Sequence, residues 1–266
     1  MTQALAVQYS LRANMAGWES DSRPHLCEER EMTFTYAVIA DGGIVLAADS
    51  QMTHSHSDHF GVIGTYEGCR GKIKRIGTQF AFSIAGNGGL ADTLLGGVNR
   101  ASIDRLHSFK EIVKAYEDAM ARELNRLYPR ELPLAFRDTA FLFCGYVPGF
   151  AKPVPQVVKL SSELRMSQNP ITGRDMAATG AMRHGAAYYL HHRFYQEGLP
   201  LEQAKLLAYC TAAEVAEQDN SVGGPIEMEL ITPEGSRALT EEEIRKYEKA
   251  RRELVGKVRS YLADFL

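Results

Sequence analysis

The stretch Thr33–Asp49, TFTYAVIADGGIVLAAD, carries two strand-like runs of apolar residues joined at Asp41-Gly42-Gly43. Such runs linked through glycine read as a β-hairpin, and one this apolar belongs in a core. What surrounds it sets the fold class. Residues 52–71 are rich in His, Ser and Gly and read as a loop, after which GKIKRIG and QFAFSIAG (71–86) give two more short strands. About four strands therefore precede the first helix. Helical spacing of apolar residues follows over 88–105 and 109–128, the second with a Ser108/Glu111 capping box and with Pro129 and Pro133 beyond its end. A second strand block covers 138–147, 155–162 and 175–180, then two helices cover 182–197 and 201–218 on either side of Gly198-Leu199-Pro200. The strand IEMELIT (226–232) closes the core, and a charged amphipathic helix capped by Thr240 and Glu243 runs to the end. Strands, two helices, strands, two helices: this segregated order is that of an α+β fold, antiparallel sheets with helices on their outer faces.

Charge and cysteine usage exclude several classes. Thirty Lys and Arg against 33 Asp and Glu leave a formal charge of −3 without a long like-charge run, so no footprint for nucleic acid or anionic lipid is present. Cys27, Cys69, Cys144 and Cys210 are far apart with no C-x-x-C spacing, which argues for reduced thiols in the cytoplasm rather than a zinc site. No apolar run approaches the roughly 20 residues of a membrane helix. Residues 1–32, with Glu19, Asp21, Glu28, Glu29 and Glu31, lack the apolar stretch of a secretory signal and read as a mobile leader.

The patterned chain thus begins at Met32-Thr33. With Thr33 first, a free α-amine lies beside a hydroxyl, so base and nucleophile share one residue and no histidine is needed. An α-amine has a reference pKa near ~8, and a fixed cation nearby keeps it neutral and basic at pH 7. Lys72, at the start of the third strand, is a candidate for that cation, and Asp49, ending the second, for the carboxylate that holds it. A backbone N–H in the turn opened by Gly86 is the candidate donor to a tetrahedral oxyanion.

In these residues the sequence resembles the proteasome β-type subunits and their bacterial relatives, the ancestral β-subunit type included, which are N-terminal-nucleophile (Ntn) hydrolases. The resemblance rests on Thr33 in TFTYAV, Asp49 ending DGGIVLAAD, Lys72 in KIKRI and Gly86 in SIAG. Asp49 follows Thr33 by sixteen residues and Gly86 follows Lys72 by fourteen, as in that family; the Asp49–Lys72 interval is longer, the excess lying in the His-rich loop. The likeness extends to Thr232, about two hundred residues. It implies a four-layer αββα sandwich of two antiparallel sheets, an Ntn-hydrolase core over 33–235 and a C-terminal helix over 236–266. It further implies a threonine peptidase using Thr33, Asp49, Lys72, Gly86 and Asp219, without metal or cofactor, acting on peptides or unfolded protein in a homo-oligomeric ring. Ile84 and Met52 fall at substrate-binding positions, Ile84 being equally readable as a core residue.

The sequence also departs from the family pattern. The serine of the family's threonine-glycine-serine falls on Ala181, with Thr179 two residues away; the serine beyond Asp219 falls on Val222, with Ser221 one place early; and Gln51 stands where arginine is common. Met32-Thr33 is a junction that methionine aminopeptidase cuts, which makes residues 1–31 a mis-assigned start; a propeptide is the alternative. The tract His54, His56, Asp58 and His59 reads as a solvated loop rather than a metal site, and His184, His191 and His192 read as surface or interface residues. Two rival functions stand beside the peptidase: a non-catalytic ring subunit, and an Ntn amidase acting on small molecules.

Overall fold

The computed structural model describes residues 33–58, 61–69, 71–133, 136–172, 175–180, 185–219 and 222–263, with backbone alone at 52–58 and 61–69. Strands β1 (Phe34–Ala40) and β2 (Gly43–Ala48) form the hairpin read from the sequence, turning at Gly42 with φ +85°. Every residue of β2 is buried, so this strand has core on both faces. Its other neighbour is β11 (Glu227–Thr232), which in turn pairs with β12 (Gly235–Ala238); β10 (Ala177–Gly180) flanks β1. The second sheet runs β5 (Ile73–Ile76), β6 (Phe80–Ala85), β7 (Ala140–Val147), β8 (Val154–Ser161) and β9 (Gln168–Ile171). All pairings in both sheets are antiparallel.

Three apolar clusters show how the layers stack. Ala37, Ile44, Leu46, Ala81, Leu142, Cys144 and Val157 meet between the two sheets. Alternate residues of the same strands, among them Phe34, Tyr36, Val38, Val45 and Ala47, turn the other way against α5 (Leu201–Gln218). On the far side Phe82, Ile84, Phe141 and Phe143 pack under α1 (Gly88–Gly96) and α3 (Phe109–Leu127). Helix, sheet, sheet, helix: the αββα order expected from the sequence is the one observed.

The helices differ according to their depth. α3 is amphipathic, with Ile112, Val113, Tyr116, Met120 and Leu124 inward and Lys114 paired with Glu117 and Asp118 outside. α5 is covered on both sides, by the first sheet and by α4 (Gly185–Phe194) and α6 (Glu241–Ala263), so its alanines 204, 208 and 212 are all buried. α6 starts on the foreseen capping box: Glu243 N–H donates to Thr240 Oγ1 (3.2 Å) and Thr240 N–H to Glu243 (2.9 Å). Tyr247 then anchors it, 4% exposed and donating its hydroxyl to Glu202 of α5 (2.9 Å). Hydrogen bonds from Lys205, Lys246 and Tyr247 pull the Glu202 carboxyl down to about 2, so this anchor stays charged until strongly acidic pH.

Several elements differ from expectation. Residues 52–58 and 61–69, read as loop in the sequence, are strands: β3 (Gln51–Asp58) and β4 (Gly61–Cys69) pair as a separate two-stranded ribbon, because Thr53, Val62, Ile63, Thr65 and Tyr66 favour extended backbone despite the intervening His and Ser. The helix read over 88–105 breaks at Gly96-Gly97 and restarts as the one-turn α2 (Arg100–Ile103) on an Asn99 cap. The short edge strands β9 and β12 carry too little apolar pattern to be seen in sequence. His191 is also not at the surface. It is 2% exposed in α4, and its Nδ1 lies 2.6 Å from the Tyr36 hydroxyl. Residues 1–32, His59 and His184, and the side chains of His54, His56 and Asp58, lie outside what is described.

Inter-sheet packing is the chief apolar tie between the halves. Leu142→Ala, at a fully buried inter-sheet position, should lower unfolding free energy by about 2–5 kcal/mol. Leu254→Ala, on the exposed face of α6, should change it by less than about 0.5 kcal/mol in the same urea titration.

Candidate active site

Thr33 immediately precedes β1 and Asp49 immediately follows β2, and the register Thr35↔Ala48 brings the two ends together. Phe34 N–H donates to Asp49 Oδ1 at 2.8 Å, and Asp49 N–H donates back to the Phe34 carbonyl at 3.2 Å. The other carboxylate oxygen takes two further donors, Lys72 Nζ at 2.8 Å and Gly223 N–H at 3.2 Å. Asp49 is fully buried and Lys72 is 6% exposed. Burial pushes the Asp49 carboxyl above its ordinary range, while the Lys72 ammonium and the Phe34 and Gly223 N–H groups pull it back. An ionised buried carboxylate needs such a set of donors, and here it has them.

Lys72 belongs to the opposite sheet. It lies just ahead of β5, its carbonyl accepts from Ile84 N–H at 3.1 Å, and its own N–H donates to Glu227 Oε2 at 3.0 Å. The Asp49–Lys72 pair therefore bridges the two sheets at the end where β1 begins. The loop after α5 is drawn into the same knot: Asp219 caps the helix, Val222 N–H returns to its carbonyl at 3.0 Å, and the Gly223 carbonyl accepts from Ser50 and Gln51 N–H groups at 3.2 and 2.9 Å.

Gly86 ends β6 at φ +86°, and a methyl there would come within 2.4 Å of the Asp138 carbonyl oxygen. No other residue suits a left-handed turn that close to the backbone of another segment. Asn87 follows, capping α1 through Leu90 N–H at 2.8 Å and donating its own N–H to Thr139 Oγ1 at 3.2 Å. Gly180, at φ +95°, lies against the Thr33 carbonyl so closely that a Cβ would overlap it, with the Ala85 methyl 3.2 Å from the same point. Thr33, the Ala85-Gly86 turn and the end of β10 thus converge. Strand alternation turns Thr33, Thr35, Ser83 and Thr179 toward the inter-sheet side, as it does Ala37, Ala81 and Ala177. Thr35 sits opposite Thr179, and the buried Thr35 and Ser83 hydroxyls have no partner among the described residues.

Of the residues singled out in sequence, Thr33, Asp49, Lys72 and Gly86 come together at this end of the sandwich, with Asp219 at the root of the loop that delivers Gly223. Ile84 is 8% exposed and packs in the cluster under α1 and α3. Met52 lies in β3 opposite Gly68, its side chain outside what is described, as are Ala181 and Ser221. Val222 is 2% exposed and belongs to the apolar layer under α5. Gly180 and Gly223 fall inside motifs noted in the sequence but have no role assigned there, and Glu227 is not singled out at all. The first two act through backbone alone; Glu227 announces itself only as a carboxylate in the apolar strand IEMELIT. Burial raises the Cys144 thiol well above its ordinary value and raises the Cys210 thiol as well, which disfavours the nucleophilic thiolate at both. Among the described residues no three His, Cys, Asp or Glu side chains gather as a metal site, and no helix is long and apolar enough to cross a membrane.

No protein-family model and no curated protein matches the sequence. Solved structures do resemble the fold. Anbu (ancestral beta-subunit) from Yersinia bercovieri superposes with a TM-score of 0.68 at 16% identity, over 87% of this chain and 96% of that one. Anbu from Hyphomicrobium sp. strain MC1 gives 0.64 at 17% identity, over 86% and 97%. A Gly-1 mutant of the latter gives 0.62 at 17% identity, over 86% and 96%. At this identity the likeness is one of fold.

Removing the Asp49 carboxylate takes from the buried Lys72 ammonium the carboxylate it is paired with. Asp49→Ala should cost about 3–5 kcal/mol of stability, read as a lower midpoint in chemical denaturation.

Proposed function

We propose that the chain is a threonine-type peptidase of a proteasome-like assembly, with Thr33 as nucleophile once the upstream residues are removed. The observation that carries this reading is the buried Lys72–Asp49 pair, 2.8 Å long, tied through Phe34 N–H to the residue next to Thr33. An ordinary structural ion pair does not require the adjoining Thr-Phe junction to be its third partner. The fold shared with Anbu, described as an ancestral β-subunit, supports the same reading.

The chemistry follows from the parts. The Thr33 α-amine takes the hydroxyl proton as Oγ1 attacks the peptide carbonyl carbon, and the carbonyl oxygen becomes an oxyanion facing the Gly86 N–H. Collapse breaks the C–N bond; the proton held on the amine passes to the departing amine, leaving an ester on Thr33. Water, its proton taken by the same amine, then attacks the ester and frees Thr33 and the carboxylic product. Lys72 works by charge alone, disfavouring protonation of the amine, and Asp49 holds that charge in place while being itself held by Phe34 and Gly223 N–H groups. Asp219, through its loop, supports the arrangement. A ring of like subunits is the assembly this reading implies, with peptides or unfolded protein as substrate and the cytoplasm as location.

Two measurements test it together. Intact mass and N-terminal sequencing of protein from its native host should find a chain beginning at Thr33; a chain that keeps residues 1–32 caps the amine and favours the non-catalytic ring subunit. In a fluorogenic peptide assay, Thr33→Ala should lower turnover by roughly 10³-fold or more without loss of assembly. Activity retained by that variant refutes the mechanism. A second variant reads the role of the cation. Lys72→Ala should shift the acid limb of the pH–rate profile upward, toward the ~8 of an unassisted α-amine.

A further inference from the structure

Among the described residues the strand β5 that follows Lys72 is an edge strand, paired on one side only, with β6. From the opposite sheet, β11 reaches it with two carboxylates at alternate positions. Glu229, 3% exposed, binds the Arg75 guanidinium through both oxygens. Glu227 accepts the Lys72 N–H at 3.0 Å, and a methyl on the preceding Gly71 would sit 3.5 Å from the same carboxylate. Glu227 also stands directly opposite Ala48 in the β11–β2 pairing, one residue from Asp49. The strand that seats Asp49's neighbour therefore also grips the backbone of Asp49's partner.

We propose that Glu227 is a positioning residue, setting the main chain of Lys72 so that its ammonium meets Asp49 below Thr33. The proposal rests on the peptidase reading above and adds a component to it. Geometry argues for it over simple strand clamping. A lysine side chain has four rotatable carbons, and a backbone displaced by about 1 Å at its root leaves the ammonium free to adopt other rotamers. Fixing N–H, carbonyl and ammonium of one residue by three separate partners, Glu227, Ile84 and Asp49, removes that freedom. Glu229 supplies the clamp; Glu227 supplies the aim. The charged groups around this point are Lys72 and Lys74 from the β5 segment, Asp49 beyond β2, Arg75 of β5 and Glu229 of β11.

The test uses the assembled enzyme processed to Thr33, with three variants and three readings. Glu227→Leu removes the acceptor: kcat should fall by about 100-fold with little change in KM, the acid limb of the pH–rate profile should move up as it does in Lys72→Ala, and the Lys72 amide should exchange with deuterium faster. Glu227→Gln keeps an oxygen in the same place and should restore kcat within a few-fold, with an acid limb at or below that of the parent because a negative charge has gone. Glu229→Gln should lower Tm without moving the acid limb. The proposal is overturned if Glu227→Leu keeps its acid limb and kcat, if it loses activity only in proportion to its folded fraction, or if Gln fails as badly as Leu. Should the parent itself show no Thr33-dependent hydrolysis, the peptidase reading fails separately. The exchange rate of the Lys72 amide then decides alone: unchanged in Glu227→Leu, it overturns the positioning role; accelerated, it sustains it.

Discussion

The structure depends on one carboxylate. Asp49 has no exposed surface, yet its two oxygens gather donors from three parts of the chain: the start of β1, the segment ahead of β5 and the loop after α5. Away from this end the sheets meet chiefly through alanine, leucine, isoleucine and valine, contacts that are non-directional and indifferent to small sliding, with the Arg75–Glu229 pair as a second charged tie at the β5–β11 edge. The Asp49–Lys72 pair is directional and sits where sliding would be most damaging. Together with the Arg75–Glu229 pair it gives the two sheets two directional points of contact.

Around that carboxylate, glycine does what side chains cannot. Gly180 lets β10 pass against the Thr33 carbonyl, Gly86 lets the β6–α1 turn lie on the chain before β7, and both have positive φ. Gly223 offers its N–H to Asp49 and its carbonyl to Ser50 and Gln51. A Cβ at the first two positions would force apart segments that touch beside Thr33 and at the start of α1. The crowding is local. Elsewhere the same strands accept ordinary large side chains, and Phe34 and Tyr36 stack their rings in the adjoining layer.

Much of this was legible in the sequence, and the reason differs by element. The β1–β2 hairpin, α3 and α5 stood out because burial imposes a period on many consecutive residues, and the caps at Ser108 and Thr240 follow from local hydrogen bonding. Asp49, Lys72 and Gly86 could be picked out because each ends or begins an element, so that spacing along the chain translates into position. The ribbon of β3 and β4 was hidden by its histidines and serines, and β9 and β12 by their shortness. His191 was misjudged because a histidine among charged and aromatic neighbours looks solvated, whereas a single buried phenol, that of Tyr36, is enough to take it inside. Glu227 escaped notice for a related reason: its partner is a main-chain N–H far away in sequence, and no motif records such a contact.

The placement of Asp49 on one sheet and Lys72 on the other has an implication for how the chain matures. While the sheets are still separate, the aspartate has no cation and the lysine no carboxylate, and neither geometry nor charge around Thr33 is in place. Closure of the sandwich is therefore the moment at which the end of β1 acquires its electrostatic surroundings. A nascent or misfolded chain carries all the same residues and none of the arrangement, so the fold itself acts as an interlock, assembling that corner only when both halves have been built and brought together.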